Sequence, residues 1–494
     1  MDKYKPLVLI NIDGLGLPIN NAPHLEAYLK EYPHTELKVA GIDMGLPEGQ
    51  PGNSESGHLN LGAGRIIYTE LARINKAIDD GSLAANQTLL DAFNRIKEKK
   101  TKLHLIGLFS DAGIHSHLNH LYALLELAKQ SDLKKVYLHA IMDGRDTADP
   151  KSGMQYLESV EAKVKEMGIG RLATILGRYY AMDRNQQWQR VHQSYQALVM
   201  GKGLTFPTAA SAMKYAYKHK ETDEFITPTV LTTRTQEPVA TIDDGDLVIF
   251  FNFRGDRCRE LLTSLTVLEF TEFNRERIPQ SEYLTLTDYE GITGIPSIFP
   301  KPELKNTLGE VLSENRLPQL RLAETERYAH VTYFFNGMQD NPGKKEDRVL
   351  IHSPKVDAYD KKPEMSAIPL TEVAVDKIKS GTYDFILITY ANPVMVAHTG
   401  NLEAYQKAIA VVDDCVSQVV DATLAQHGLV LITSTRTSHI SQLTSGSNAP
   451  FIIIGYQEQL KLRSSGILED VAPTILKLIG ITPPAEMTGT PLIF

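Results

Sequence analysis

The amino-acid sequence predicts an α/β protein in which one α/β domain is inserted into another. Three observations carry that prediction. Short apolar runs alternate with helical patterns along the chain, the alternation starts afresh at Leu103, and the C-terminal third lacks a strand that the N-terminal run Leu7 to Ile12 completes. At 494 residues the chain is too long for one ordinary core and long enough for two. The outer domain is expected over 1–70 and 301–494, and the inserted domain over 71–300.

The first element, Leu7-Val8-Leu9-Ile10-Asn11-Ile12, is a buried-strand pattern that runs into Asp13 and the glycines Gly14 and Gly16. Ligands of α/β sheets sit beyond the carboxyl ends of strands, so Asp13 is a candidate metal- or phosphate-site residue; a turn aspartate ahead of glycine explains it equally well. Next comes Pro51-Gly52-Asn53-Ser54-Glu55-Ser56-Gly57-His58, a small-residue loop ahead of the periodic segment Leu59 to Ala72. A serine becomes a nucleophile only when a neighbour lowers its pKa or takes its proton. The chain must therefore provide something that activates Ser54.

A helical pattern over Ile66 to Ile78 leads into the inserted domain. Its strands are expected at Leu103 to Leu108, Val136 to Ile141, Leu172 to Ile175 and Leu247 to Phe251, with helices at His120 to Lys129 and Gly153 to Met167. The segments after those strands are Ser110 to His117, Asp143-Gly144-Arg145-Asp146, Gly177 to Arg184 and Asn252 to Arg257. All four are expected on one edge of one sheet, which brings Arg145, Arg178, Arg184, Arg254 and Arg257 together. A lone Arg–Asp pair is usually a surface salt bridge. Repeated at successive strand ends, the guanidiniums read better as a site for phosphate and carboxylate, both of which suit forked donors.

Gly294-Ile295-Pro296, with Pro300 and Pro302 close behind, punctuates the second boundary. Beyond it the pattern gives a helix over Leu308 to Glu314, strands over Val331 to Phe335 and Phe385 to Tyr390, and a long helix over Leu402 to Leu424. Strands at Leu429 to Thr433 and Phe451 to Gly455 and a helix at Leu468 to Ile479 complete it.

Composition narrows the function classes. The chain is 42% hydrophobic and 22% charged, as soluble globular proteins are. Its formal net charge of -9 provides no global field for nucleic acid or an anionic membrane, so any anion must be held by a local cluster. The two cysteines, Cys258 and Cys415, have neither disulfide nor metal spacing and read as reduced thiols. The apolar N-terminal run is too brief for a signal peptide and no stretch approaches a membrane span, so a cytoplasmic protein is expected.

Several long motifs recur in order: Leu46 to Gln50 through Gly52-Asn53-Ser54-Glu55, Gly57-His58-Leu59-Asn60, Gly62-Ala63-Gly64-Arg65, the Ser110 to His117 loop, Asp143-Gly144-Arg145-Asp146, and Gly177-Arg178-Tyr179-Tyr180. Pro354-Lys355-Val356, Lys362-Pro363-Glu364-Met365-Ser366 and Glu486-Met487-Thr488-Gly489 continue them. By these motifs the chain resembles, over essentially its whole length, the cofactor-independent (2,3-bisphosphoglycerate-independent) phosphoglycerate mutases of the alkaline phosphatase superfamily. The resemblance implies a phosphatase-like domain with two divalent ions, usually manganese, and a phosphorylated serine, plus an inserted domain that grips the glycerate. Carried over residue by residue, the serine is Ser54, and the substrate-gripping residues are His115, Arg145, Asp146, Arg178, Arg184, Arg254 and Arg257, with Gly255 where a proline is usual.

The metal half departs from the pattern. Of the ligand positions the resemblance implies, Asp13, Ser54 and His398 remain, while Val394, Thr435, Arg436 and, after a shortened loop, about Ser445 stand where ligands are expected. Arg327 stands where a lysine that contacts the transferring phosphate is usual, and keeps that catalytic and binding role in the expectation. Two divalent ions would lower the serine pKa and stabilise the leaving oxygen. Without them, Arg436 beside Asp13 offers one positive charge and no Lewis acid; a structural plug is the plainer role for it, and a loop histidine the plainer role for His439.

Three expectations follow. In the first, the protein binds a phosphoglycerate-type anion, has little or no mutase activity, and serves as a binding or regulatory paralogue, with a regulatory protein as a further candidate partner. In the second, it is an enzyme that passes a phosphoryl group through Ser54, interconverting 2- and 3-phosphoglycerate or acting on a related substrate. In the third, residues outside these motifs rebuild the site and manganese binds; otherwise no cofactor is expected to bind tightly. A monomer is expected, with linkers near Tyr68 to Arg73 and Gly294 to Pro302.

Overall fold

The computed structural model describes residues 4–438, 448–456 and 460–494. The chain divides into two compact units, one from residues up to Thr69 together with Glu303–Phe494, the other from Glu70–Pro302. Among the described residues there are sixteen strands. β1 (Leu7–Ile12) and β2 (His34–Lys38) come first. The second unit holds β3 (Leu103–Phe109), β4 (Val136–Met142), β5 (Arg171–Gly177), β6 (Leu204–Phe206), β7 (Thr229–Leu231), β8 (Leu247–Phe250), β9 (Glu282–Thr287) and β10 (Ser297–Phe299). The chain then returns to the first unit with β11 (Gln319–Glu324), β12 (Glu346–Ile351), β13 (Phe385–Tyr390), β14 (Leu429–Thr433), β15 (Asn448–Ile454) and β16 (Ser465–Ile467).

In the first unit the sheet order is β12-β11-β13-β1-β14-β15-β2-β16. β1 lies parallel between β13 and β14, with Leu7 opposite both Phe385 and Leu429. All six β1 residues are buried, because helices cover both faces of a mostly parallel sheet and leave no solvent-facing side for alternation to mark. β15 runs antiparallel to β14 and to β2. In the second unit the order is β10-β9-β8-β3-β4-β5-β7-β6, parallel apart from the β5–β7 pair. Its core joins Phe93, Leu105, Phe109, Leu124, Leu138 and Phe251. No helix among the described residues is long and apolar enough to cross a membrane.

The helices at Gly153–Met167 and Leu308–Glu314 fall on the expected residues, the second closed by a capping box between Thr307 and Glu310. Two expectations fail. The periodic stretch beyond Ser54 starts its helix at the serine itself, over Ser54–Ala63, and a separate helix covers Glu70–Asp79. Asn53 caps the first of them, its Oδ1 accepting from Ser56 N at 2.8 Å. The strand expected over Val331 to Phe335 is a π-helical turn, His330–Phe334, and the strand of that region is β11. The β-branched and aromatic run imitated a strand. Instead it delivers Phe335 onto the guanidinium of Arg321, a fully buried charge in the middle of β11, 4.7 Å from the ring centre.

Candidate active site

Asp13 sits just past the carboxyl end of β1, fully buried, its N–H donating to Tyr390 O of the neighbouring strand at 3.0 Å. Ser54 occupies the first turn of its helix, 5% exposed, and donates to Asp13 Oδ2 at 2.6 Å. Arg327, on the short helix Thr325–Ala329, donates from Nε to the same Oδ2. Thr435 Oγ1 donates to Oδ1 at 2.9 Å. Burial pushes the Asp13 carboxyl up, but Arg327, then His58 and the hydrogen bonds, outweigh it and hold the group at about 2. Asp13 is thus a carboxylate that grips the serine hydroxyl and is a poor acceptor for its proton.

The helix reaches this position because Gly57 has no side chain: a Cβ there would come 2.5 Å from the backbone oxygen of Thr435. One turn after the serine, His58 Nδ1 donates to Ser54 O at 2.7 Å, which leaves Nε2 to accept from Asn11 Nδ2 at 3.1 Å. Burial takes the His58 pKa down to about 4, against the opposing pull of Asp13, so the ring is neutral. His330 packs edge-on against it at 5.3 Å, and burial lowers its pKa to about 3. The sequence reading assigned roles to none of Asn11, His58 and His330; the spacing of four between Ser54 and His58 on one helix face was the available signal.

The positions at which ligands were expected gather here as well. Val394 N donates to the backbone oxygen of Asp13 at 3.0 Å. Arg436 is half-buried, its Nε without a partner among the described residues; burial lowers its pKa, the charge of Asp13 raises it and that of Arg327 lowers it. His398 follows the short helix Asn392–Ala397 and is exposed. Ser445 and His439 lie outside the described residues.

The second unit gathers the expected arginines at the carboxyl edge of its sheet. Arg178, 3% exposed, bridges Asp143 Oδ1 at 2.5 Å and Asp146 Oδ2 at 2.6 Å. His115 lies between Asp146 and Asp256, 3.7 Å from each. Burial, then Arg178, lowers its pKa to about 4, so it too is neutral. Arg254 Nε and Arg184 Nη1 share Asp256, at 3.1 and 3.4 Å, and Arg145 reaches Glu224 at 3.5 Å. Arg257 has no carboxylate within 4 Å among the described residues; burial, then the charges of Arg184, Arg178 and Arg145, lowers its pKa. That crowding favours an incoming anion. Gly255 carries this loop past Tyr289, whose ring would stand 2.2 Å from a Cβ, so a proline cannot replace it unless Tyr289 moves.

Residues 74–291 match the family model described as the BPG-independent PGAM N-terminus. The chain is 44% identical over 509 residues to a 2,3-bisphosphoglycerate-independent phosphoglycerate mutase of Clostridium botulinum (strain ATCC 19397 / Type A), with 99% of each chain covered. It belongs to that family. A relative from Clostridium perfringens (strain 13 / Type A) bears the same name at 45% identity over 510 residues, again covering 99% of each chain. The solved Leishmania mexicana phosphoglycerate mutase, described at low cobalt concentration, superposes with a TM-score of 0.55 at 29% identity, covering 99% of this chain and 98% of that one.

The expectation that this chain binds no cofactor tightly does not stand beside these relatives, one of which was solved as a phosphoglycerate mutase at low cobalt concentration. The expectation counted Asp13, Ser54 and His398 as the surviving ligands and took Thr435 for a lost one, whereas divalent ions also take hydroxyl oxygens, and Thr435 brings a second hydroxyl to Asp13 beside that of Ser54. As arranged, the donors do not form a ready two-ion centre, because Arg327 holds Asp13 Oδ2. Among the described residues, the one group of three metal-binding side chains within mutual reach is His24, Asp413 and Asp414. Asp413 is already engaged there by the N–H groups of His24 and Leu25 at 3.0 and 2.9 Å.

Proposed function

We propose that this chain is a phosphoglycerate mutase that passes a phosphoryl group through Ser54, interconverting 2- and 3-phosphoglycerate or a close analogue in the cytoplasm. The observation that carries the reading is Arg257, held among Arg145, Arg178 and Arg184 without a carboxylate of its own, in a chain of this family. The arginines and neutral His115 recognise the phosphate and carboxylate of the glycerate. Ser54 Oγ attacks phosphorus and gives up its proton, the bond to one glycerate oxygen breaks and that oxygen takes up a proton; the other glycerate hydroxyl then attacks the phosphoserine, losing its proton as the Oγ–P bond breaks and Ser54 Oγ is reprotonated. Arg327 stands beside the serine and offers positive charge to the phosphoryl oxygens. A divalent ion would add Lewis acidity to this step, and the Leishmania mexicana relative was solved at low cobalt concentration.

A second reading has its own support. With Arg327 and Ser54 on one oxygen of Asp13 and Thr435 on the other, the carboxylate is fully engaged, which suits a paralogue that binds the anion with little turnover. The two readings separate in one assay: conversion of 3- to 2-phosphoglycerate with and without added manganese or cobalt, beside Ser54→Ala. Turnover lost in the variant supports the first; binding of 3-phosphoglycerate without turnover under any condition supports the second.

A further inference from the structure

The helix Thr325–Ala329, which carries Arg327, is only five residues long, and Glu324 at its N-cap makes no side-chain capping bond. So short a helix does not hold itself together, and its position must come from what is tied to it. Three consecutive side chains supply the ties. Glu324, fully buried at the end of β11, accepts from Ser353 Oγ at 2.8 Å, Thr325 Oγ1 accepts from Ser353 N at 3.0 Å, and Glu326 Oε1 accepts from the Tyr359 hydroxyl at 2.7 Å. Next along the chain comes Arg327, which donates from Nη1 to Glu326 O at 2.7 Å and from Nε to Asp13. All three ties come from one segment, residues 352–366. It contains the motifs Pro354-Lys355-Val356 and Lys362-Pro363-Glu364-Met365-Ser366, which have no part in the site described above.

The far end of the segment is fastened to the other short helix of the site. Asn392 Nδ2 donates to Pro363 O at 3.0 Å and to Glu364 O at 2.8 Å, and Asn392 opens the helix whose Val394 N–H donates to Asp13 O at 3.0 Å. Ser366 Oγ donates to His352 O at 2.8 Å, which closes the segment on itself. We infer that residues 352–366 are a strap that holds Arg327 against Asp13 and Ser54, with Ser353 and Tyr359 as its positioning residues. An arginine side chain has many rotamers, and a buried one keeps a single working geometry, to within about 0.5 Å, only when its backbone is fixed by neighbours of this kind. The part of the strap in phosphoryl transfer rests on the function proposed above; the hold on Arg327 does not.

Solvent exchange of the Arg327 Nε–H, followed by nitrogen–proton NMR of the full chain with labelled arginine and assigned through Arg327→Met, reads the hold without any ligand. Tyr359→Phe and Ser353→Ala each remove one hydroxyl from a half-buried side chain, a change the fold tolerates. Each is expected to speed exchange at Arg327 by roughly three- to tenfold, while the Nε–H of Arg321, in the middle of β11, changes by less than about twofold. Unchanged exchange at Arg327 overturns the inference, and so does equal acceleration at both arginines, which would make the ties general packing. Conversion of 3-phosphoglycerate with manganese or cobalt added then tests the consequence for turnover. Tyr359→Phe is expected to lower kcat about three- to tenfold and to leave KM within about twofold. Wild-type kcat in that variant, with exchange accelerated, sinks the role in turnover. No conversion even by wild type, with exchange as expected, leaves the strap standing and sinks the mutase reading.

Discussion

Asp13 and Arg257 both lie past the carboxyl ends of parallel strands, yet their surroundings are balanced differently. Asp13 has each oxygen answered from inside the fold, by Arg327, Ser54 and Thr435. Arg257 is crowded by like charge, and the nearest acid, Asp256, is shared by Arg184 and Arg254. A buried charge with internal partners is chiefly a matter of folding, whereas uncompensated charge at a sheet edge is a matter of ligands. The same arginine side chain thus closes one site and opens the other.

The comparison breaks most sharply at the serine. Ser54→Ala is expected to lower phosphoglycerate conversion by on the order of 10⁴-fold or more, read by coupled assay with manganese or cobalt added, while leaving 3-phosphoglycerate affinity within about threefold. Equal conversion by the variant would remove Ser54 from the chemistry. Arg327→Met tests the closed side. Asp13 then stays buried without its cation, and unfolding in urea at pH 7 should show a loss of about 3–5 kcal/mol. The deficit has a pH signature with a definite sign. The folded pKa of Asp13 is depressed to about 2 from 3.8, so its contribution is complete above pH 4, fades as pH falls toward 2, and the gap between variant and wild type narrows there. A gap independent of pH would mean that packing, not the ion pair, was lost.

On the open side, Arg257→Ala is expected to weaken 3-phosphoglycerate binding by about 1.5–3 kcal/mol, measured calorimetrically, with urea stability changed by less than about 1 kcal/mol. The reverse pattern would make Arg257 structural. The smallest effect is that of salt: raising sodium chloride from 0.05 to 0.5 M should weaken anion binding a few-fold, and the Arg327→Met deficit should hardly move, since buried pairs are poorly screened.

Much of this arrangement was legible in the chain. Continuous apolar runs ending in Asp13, Asp143, Arg178 and Arg254 located strand ends, and parallel sheets place such ends on one edge. Four of the five arginines meet in carboxylate pairs with Asp143, Asp146, Asp256 and Glu224, where the sequence favoured a ligand's phosphate and carboxylate over such salt bridges. What escaped was pairing across long sequence separation. Nothing near Arg327 in the sequence announces its bond to Asp13, 314 residues away; only the family resemblance put Thr435 at the site of Asp13, and its bond to Asn11 had no signal at all. Arg321 was equally hidden, since a charge inside an apolar run reads as a face turned to water, whereas here it lies between Phe335 and Phe385. The run Val331 to Phe335 misled for the opposite reason: its strand propensity was overridden by the turn that brings Phe335 to that arginine.

The position of β1 in its sheet has a consequence for biosynthesis. Its hydrogen-bonding neighbours β13 and β14 lie more than 370 residues downstream, so a nascent chain leaves the ribosome with that strand unpaired until nearly the whole message is read. The contiguous unit Glu70–Pro302 has no such wait. At roughly 5–20 residues per second, translation gives it a lead of several seconds or more over the sheet that β1 must join.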